Sequence, residues 1–148
     1  ALLGLDVRLL TAFGDDLNAQ KVAASCGELG IDISQSPIIS GGRTSTYLFI
    51  SDEHGDMGLA VSDMEIYQHL TPQALAQRHK LLDTSQLVII DTNIPEESIV
   101  WLAENCAAPL FADPVSTAKA PVLAMRRICS AVYRPSSLSI LMSMNITS

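Results

Sequence analysis

The amino-acid sequence predicts an α/β fold: a parallel sheet flanked by helices, with a β-hairpin laid beside it. Three observations predict it. Residues 87–116, LVIIDTNIPEESIVWLAENCAAPLFADPVS, read as strand, helix and strand at the spacing of a parallel βαβ unit. Both apolar runs of that unit end in polar residues, Asp91-Thr92-Asn93 and Asp113-Pro114-Val115-Ser116. Ligands of open α/β sheets bind outside the carboxyl ends of strands, so both clusters fall on one functional rim. Residues 44–50 and 57–61 form two strand runs around SDEHGD, where Gly55 marks a hairpin turn.

A chain of 148 residues suits one domain. With 48% hydrophobic residues and a mean hydropathy of +0.28, it reads as globular rather than disordered. No apolar run approaches the roughly 18 residues that span a membrane. The opening ALLGLDVRLL lacks the basic region and cleavage site of a signal peptide. Cys26, Cys106 and Cys129 form no CxxC pair, which argues against a disulfide framework or a zinc site and for a reducing cytoplasm. Charge is uneven. Up to Asp113 there are sixteen acids and five bases, a net of −11; beyond it Lys119, Arg126, Arg127 and Arg134 make +4 with no acid. A body of −11 repels nucleic acid, and no aromatic-basic stripe offsets it.

Taken in order, Gly4 reads as a helix C-cap and residues 6–10 as a strand. TAFGDD at 11–16 is a loop whose Asp15 or Asp16 caps the next helix, a reading favoured over metal binding. That helix covers 17–29, with Leu17, Val22, Cys26 and Leu29 near one face and Gly30 as its stop. Residues 31–40 are irregular. In the hairpin both faces carry bulk, and His54 sits at a solvated tip. Thr71 as N-cap and Pro72 at the first helical position open a helix over 72–80, with Leu75 and Ala76 inward. His69 and His79 have no carboxylate at ligand spacing, so neither is a metal candidate. Pro95 with Glu96 and Glu97 starts a helix over 95–106, whose Ile99, Val100, Leu102 and Ala103 face the sheet. Trp101 packs at its edge. Residues 138–144, LSILMSM, read either as a strand completing the sheet or as an exposed run.

The ordered set GDD at 14–16, TSTYLFISDEHGDM at 44–57, SDMEI at 62–66, DTNIPEE at 91–97 and FADPVS at 111–116 resembles the ribokinase-like sugar kinases, the phosphofructokinase B family. SDM after the hairpin, together with DPVS, is most similar to its pseudouridine kinase branch. The resemblance covers about residues 1–120 and implies a partial ribokinase-like fold in which the hairpin is a lid. It implies phosphoryl transfer from ATP, with Mg²⁺, to a sugar or nucleoside hydroxyl, here the 5′-hydroxyl of pseudouridine. It places Asn93 and the lid residues Ser45, Thr46 and Tyr47 against the sugar, and Asp113 and Ser116 on the phosphate side. An amide at Asn93 can both donate to and accept from ribose hydroxyls. Local roles compete: an Asx-turn at Asn93, ordinary strand positions at Ser45 and Thr46, a brace for the Asp-Pro turn at Asp113. The resemblance also makes the lid sheet a homodimer surface.

The departures are as informative. The family's N-terminal strand with its sugar-binding aspartate and Gly-Gly segment has no counterpart in the sequence. No Asn-x-x-Glu metal motif follows FADPVS, and no Gly-Ala-Gly-Asp anion-hole and base motif occurs. No catalytic or metal-ligating residue can therefore be named, and ATP and Mg²⁺ lack their expected ligands. Residues 121–148 depart from the family as an acid-free basic tail, the pattern of a frameshift or truncation. Two readings follow: a sugar or nucleoside kinase by descent that does not turn over as this chain, or a non-catalytic remnant or interaction module.

Overall fold

Six strands form the main sheet. In spatial order they are β3 (Ile31–Asp32), β1 (Asp6–Leu10), β10 (Leu141–Asn145), β7 (Leu87–Asp91), β8 (Leu110–Asp113) and β9 (Ile128–Ser130). The structure, a computed structural model, describes residues 1–115 and the backbone of the strands at 128–130 and 141–145. The pairs β1–β3, β7–β8 and β8–β9 are parallel, as the βαβ reading requires. The tail strand β10 is the exception: it runs antiparallel between β1 and β7. Of the two readings of the 138–144 run, the structure takes the strand, over Leu141–Asn145.

One face of the sheet carries the core. Val88 and Ile90 of β7 and Leu110 and Ala112 of β8 alternate inward, as half-buried strands do. They meet α4 (Glu96–Asn105). Its Ile99, Leu102, Ala103 and the following Cys106 recur at three- and four-residue spacing, which puts them on one stripe of a helix. Each fully buried Leu or Ile of this set is worth roughly 1.5–3 kcal/mol relative to exposure. Pro95 lies one residue before the helix as its N-cap, rather than inside it; its carbonyl takes the Ser98 and Ile99 amides. Val100 is only half-buried, whereas Ser98 is wholly buried and donates its hydroxyl to the Leu70 carbonyl at 2.6 Å.

The single helix expected over 72–80 is two short ones, α2 (Pro72–Ala76) and α3 (His79–Asp83). Thr71 does cap α2, accepting the Ala74 amide. The chain breaks at Arg78, whose amide goes to the Leu75 carbonyl; its side chain takes the Ala74 carbonyl that a continuing helix would have used, at 2.7 Å. Leu75 points inward but Ala76 is exposed. His79 has a carboxylate after all. Its Nδ1 lies 3.0 Å from Asp83 Oδ2 one turn on, its Nε2 3.2 Å from the Asn105 carbonyl, and its ring stands edge-on to Trp101.

Around the sheet's β3 edge, α1 (Leu17–Glu28) starts on Asp16, whose carboxylate accepts the Ala19 amide at 2.8 Å. It ends at Leu29, followed by Gly30 at φ +68°. The expected apolar face is mostly not used: Leu17 is 70% and Leu29 44% exposed, and only Cys26 is buried. The loop at 11–16 and the irregular 31–40 stretch each contain a two-residue strand, β2 (Phe13–Gly14) and β4 (Ile38–Ile39), paired in parallel. The hairpin is β5 (Thr46–Ser51) and β6 (Met57–Asp63), starting two residues later and ending two residues beyond the sequence reading. It forms its own two-stranded sheet. Leu48, Phe49, Ile50, Met57, Leu59 and Val61 are all more than half exposed, so both of its faces are open.

Candidate substrate site

The carboxyl ends of β7 and β8 do share a rim. Asp91 and Asp113 are register partners, and the next residues are stitched together. The Thr92 amide donates to the Asp113 carbonyl at 3.2 Å and the Thr92 hydroxyl to the Pro114 carbonyl at 2.7 Å. Asp91 is buried and turns its carboxylate to Asn93, accepting the Asn93 amide at 2.9 Å and the side-chain Nδ2 at 3.3 Å. The Asx-turn here therefore belongs to Asp91, and Asn93 receives it. With Nδ2 donated to a carboxylate, Oδ1 is the acceptor end of the Asn93 amide. Asn93 is half-buried. Asp113 braces the turn that follows: its Oδ1 accepts the Val115 amide at 2.8 Å. Val115, β-branched, is held at φ +57°, a costly conformation for such a residue. Ser116 lies outside the described residues.

The second group sits at the root of the hairpin. Asp16 does more than cap α1: its Oδ2 accepts the Thr44 amide and its Oδ1 the Thr44 hydroxyl, at 2.8 and 2.7 Å. Those contacts hold the Asp16 carboxyl below the ordinary carboxylate range, the Ala19 amide contributing most and Thr44 next. Thr44 Oγ1 in turn accepts the Gly14 amide at 3.0 Å. Asp15 accepts the Gly41 amide at 3.0 Å. The GDD segment is thus the socket of the lid. Ser45 is hydrogen-bonded to the Tyr67 hydroxyl. Thr46 donates to the Thr44 carbonyl and accepts from Asn18 Nδ2 at 3.5 Å. Tyr47 reaches Met57 Sδ along the hairpin at 2.9 Å and packs near Phe49.

Two features connect the groups. Tyr67 lies in a 3₁₀ turn at Glu65–His69 and is buried in the same cluster as Ile94, the residue after Asn93. The Ser98–Leu70 hydrogen bond ties the end of that turn to the first turn of α4. Rim and lid root are therefore linked through this one turn. A cavity of about 330 Å³ opens at the root, lined by Gly41, Gly42, Arg43, Asp63, Glu65 and His69 among others. Arg43 and Asp63 pair across its mouth at 2.8 Å, Arg43 largely exposed, so the pair adds little stability. Ser45, Thr46, Tyr47 and Asn93 are not among its lining residues. Sequence reasoning missed Thr44 and Tyr67. Thr44 stood beside the named TST residues; Tyr67 carried no signal beyond its nearness to SDMEI.

A parallel-stranded α/β sheet with a polar strand-end rim and a rooted two-stranded lid is the architecture of the ribokinase-like kinases. A carbohydrate kinase from Agrobacterium tumefaciens superposes with a TM-score of 0.67 at 28% identity, over 78% of this chain and 39% of that one. The chain belongs to the pfkB family of carbohydrate kinases, whose profile matches residues 1–134. Pseudouridine kinase of Escherichia coli K12 is 36% identical over 120 residues, 80% of this chain and 38% of the relative. The sugar kinase YeiI of the same organism is 36% identical over 123 residues, 81% of this chain and 33% of the relative. The chain thus spans less than two fifths of the length of either relative.

Proposed function

We propose that the chain carries the sugar-facing part of an ATP-dependent sugar or nucleoside kinase whose substrate is pseudouridine, phosphorylated at the 5′-hydroxyl. The observation that carries this is Asn93 at the carboxyl end of β7, its backbone amide and Nδ2 both donated to Asp91, which fixes the side-chain amide at the strand end. An acceptor fixed at a strand end suits a ribose hydroxyl. The lid residues Ser45, Thr46 and Tyr47 would close over the sugar from the hairpin root. The 36% identity to a pseudouridine kinase is what supports a nucleoside substrate.

Magnesium and ATP require ligands as well as a fold. Among the described residues no three His, Cys, Asp or Glu side chains converge on a metal position, and Asp113 gives one oxygen to the Val115 amide. These residues do not make a nucleotide site by themselves, so the reading is confined to the nucleoside. Binding of pseudouridine to the 148-residue chain, followed by heteronuclear NMR, tests it. Saturable shifts at 91–93 and 45–47 that vanish in Asn93→Ala support the reading; equal shifts with wild type and variant sink it. The isolated chain is expected to show no ATP-dependent phosphorylation of pseudouridine.

The exposed hairpin favours a second role beside this one, self-association through the lid sheet. Leu48, Ile50, Leu59 and Val61 are each at least 60% exposed and stand together on one small sheet, the kind of apolar patch that marks an interaction surface. Sedimentation equilibrium should show a dimer that Leu48→Lys with Leu59→Lys dissociates. A monomer at all concentrations would exclude this role.

A further inference from the structure

A second polar cavity lies away from both the rim and the lid. It has about 330 Å³ and is lined by Arg8, Asp32, Gln35, Gln77, Arg78 and Lys80 among others. Up to Asp113 the chain holds only five basic residues against sixteen acidic ones, and three of the five meet here. Their charges are not used alike. Arg8 is compensated, its Nη2 3.2 Å from Asp6 and its Nε 3.8 Å from Asp32. Asp32 stays firmly ionised, held below the usual carboxylate range by the Ser34 amide and hydroxyl first and by Arg8 last. Arg78 and Lys80 have no carboxylate partner among the described residues.

Arg78 is nonetheless fixed. Its Nε donates to the Gln35 carbonyl at 2.6 Å and its Nη1 to the Ala74 carbonyl at 2.7 Å. Both acceptors are neutral, so the guanidinium is oriented while its charge is left over, and Nη2 remains to donate. The Gln35 and Gln77 side-chain amides make no hydrogen bond to a described residue. One oriented guanidinium, one exposed ammonium and two amides that can donate stand around the cavity with two positive charges that no carboxylate offsets, beside the Arg8–Asp32 pair. Asp32 also lines the cavity, but its contact is with Arg8, so it neutralises neither Arg78 nor Lys80.

We propose that this cavity, between β3 and the α2–α3 break, binds a phosphate dianion, either as the free ion or as the phosphoryl group of a small monoester. Its two charges match the two unpaired cations, and charge-assisted hydrogen bonds from arginine and lysine are the strong ones in such sites. The cavity has the lower end of the volume range of small-molecule sites, enough for a monoester with its sugar. The proposal stands apart from the kinase reading, because none of its residues belongs to the rim or the lid root.

The test is a titration of the whole chain with inorganic phosphate and, separately, with ribose 5-phosphate, at constant ionic strength. The readout is the Arg78 Nε–H resonance together with the backbone amides of 32–35 and 77–84. Saturable shifts with a Kd on the order of 1 mM are expected, about tenfold weaker in Lys80→Gln and retained in Lys80→Arg. Lys80 is exposed, so both variants should fold. Tighter binding of phosphate would assign the free ion, and tighter binding of ribose 5-phosphate the monoester. No saturable shift, the same shift from chloride, or unchanged binding by Lys80→Gln would overturn the proposal.

Discussion

Asp16 shows how much one side chain can decide. It caps α1, holds the Thr44 amide and hydroxyl, and so joins a helix start to the lid root. Its pKa in the folded chain lies below its unfolded value of about 3.9. Its contribution is therefore complete above that value and is lost as pH falls through the folded one. Asp16→Asn should lower the thermal midpoint at neutral pH, where an amide NH₂ would oppose the Thr44 donors, and the two proteins should converge in acid. A difference that persists unchanged after the carboxyl has been protonated in acid would mean that the carboxylate charge is not the cause. The capping role was legible, because an acid before a helical run has few other uses. The contacts to Thr44 were not: they bridge 28 residues, and no local pattern reports such a distance. Ser98 was hidden for the same reason. It had no role in the sequence pattern, yet it is wholly buried and donates to the Leu70 carbonyl. Ser98→Ala should cost about 1–3 kcal/mol by leaving that carbonyl unpaired, which chemical denaturation would measure.

At the scale of elements, the βαβ unit was readable from end to end, because its strands and helix follow their own periodicities and are punctuated by Pro95 and Pro114. What failed was the short structure. The break at Arg78 depends on a side chain taking a backbone carbonyl, and β2 and β4 exist only through each other. Their pairing brings β2 close to the 41–44 loop, and Gly14 is where the approach is tightest. A Cβ there would lie 2.3 Å from the Gly42 carbonyl oxygen and 2.8 Å from the Thr44 amide. Both neighbours are backbone, so nothing soft can yield. Gly14→Ala should displace the lid root, lower stability markedly and abolish shifts at residues 45–47 on nucleoside addition. Gly27, inside α1, is the control: a Cβ there meets nothing within 4 Å. Gly27→Ala should stabilise by about 0.5–1 kcal/mol through helix propensity alone. A Gly14→Ala protein as stable as wild type would show that the two segments are not in contact.

For the whole molecule, the decisive feature is where β10 lies. Without it β1 and β7 have no common neighbour, since every ladder between the β3–β1 pair and the β7–β8–β9 group passes through Leu141–Asn145. The sequence offered this stretch only as a strand or an exposed run, because apolar periodicity gives a strand's existence and not its slot. Its slot is a question of topology, answered by which edges are left open. The socket of Asp16 and Thr44 belongs to the β1 side of the molecule, while Asn93 and Asp113 belong to the β7 side. The strand that joins the sheet thus also fixes rim and lid relative to each other, alongside the 3₁₀ bridge at Glu65–His69. Ser143 is the central point, paired with Arg8 on one side and Val88 on the other. Proline there removes a backbone donor from the interior of a sheet and should cost about 3 kcal/mol or more. Ser143→Pro is expected to lose near-ultraviolet dichroism and cooperative unfolding, with amide protection lost in both β1 and β7. The same substitution at Ser148, past the strand, should change neither. Loss of protection in β10 alone, with β1 and β7 still protected, would show that the two halves of the sheet hold together without it, and that the tail adds a strand to a fold already complete.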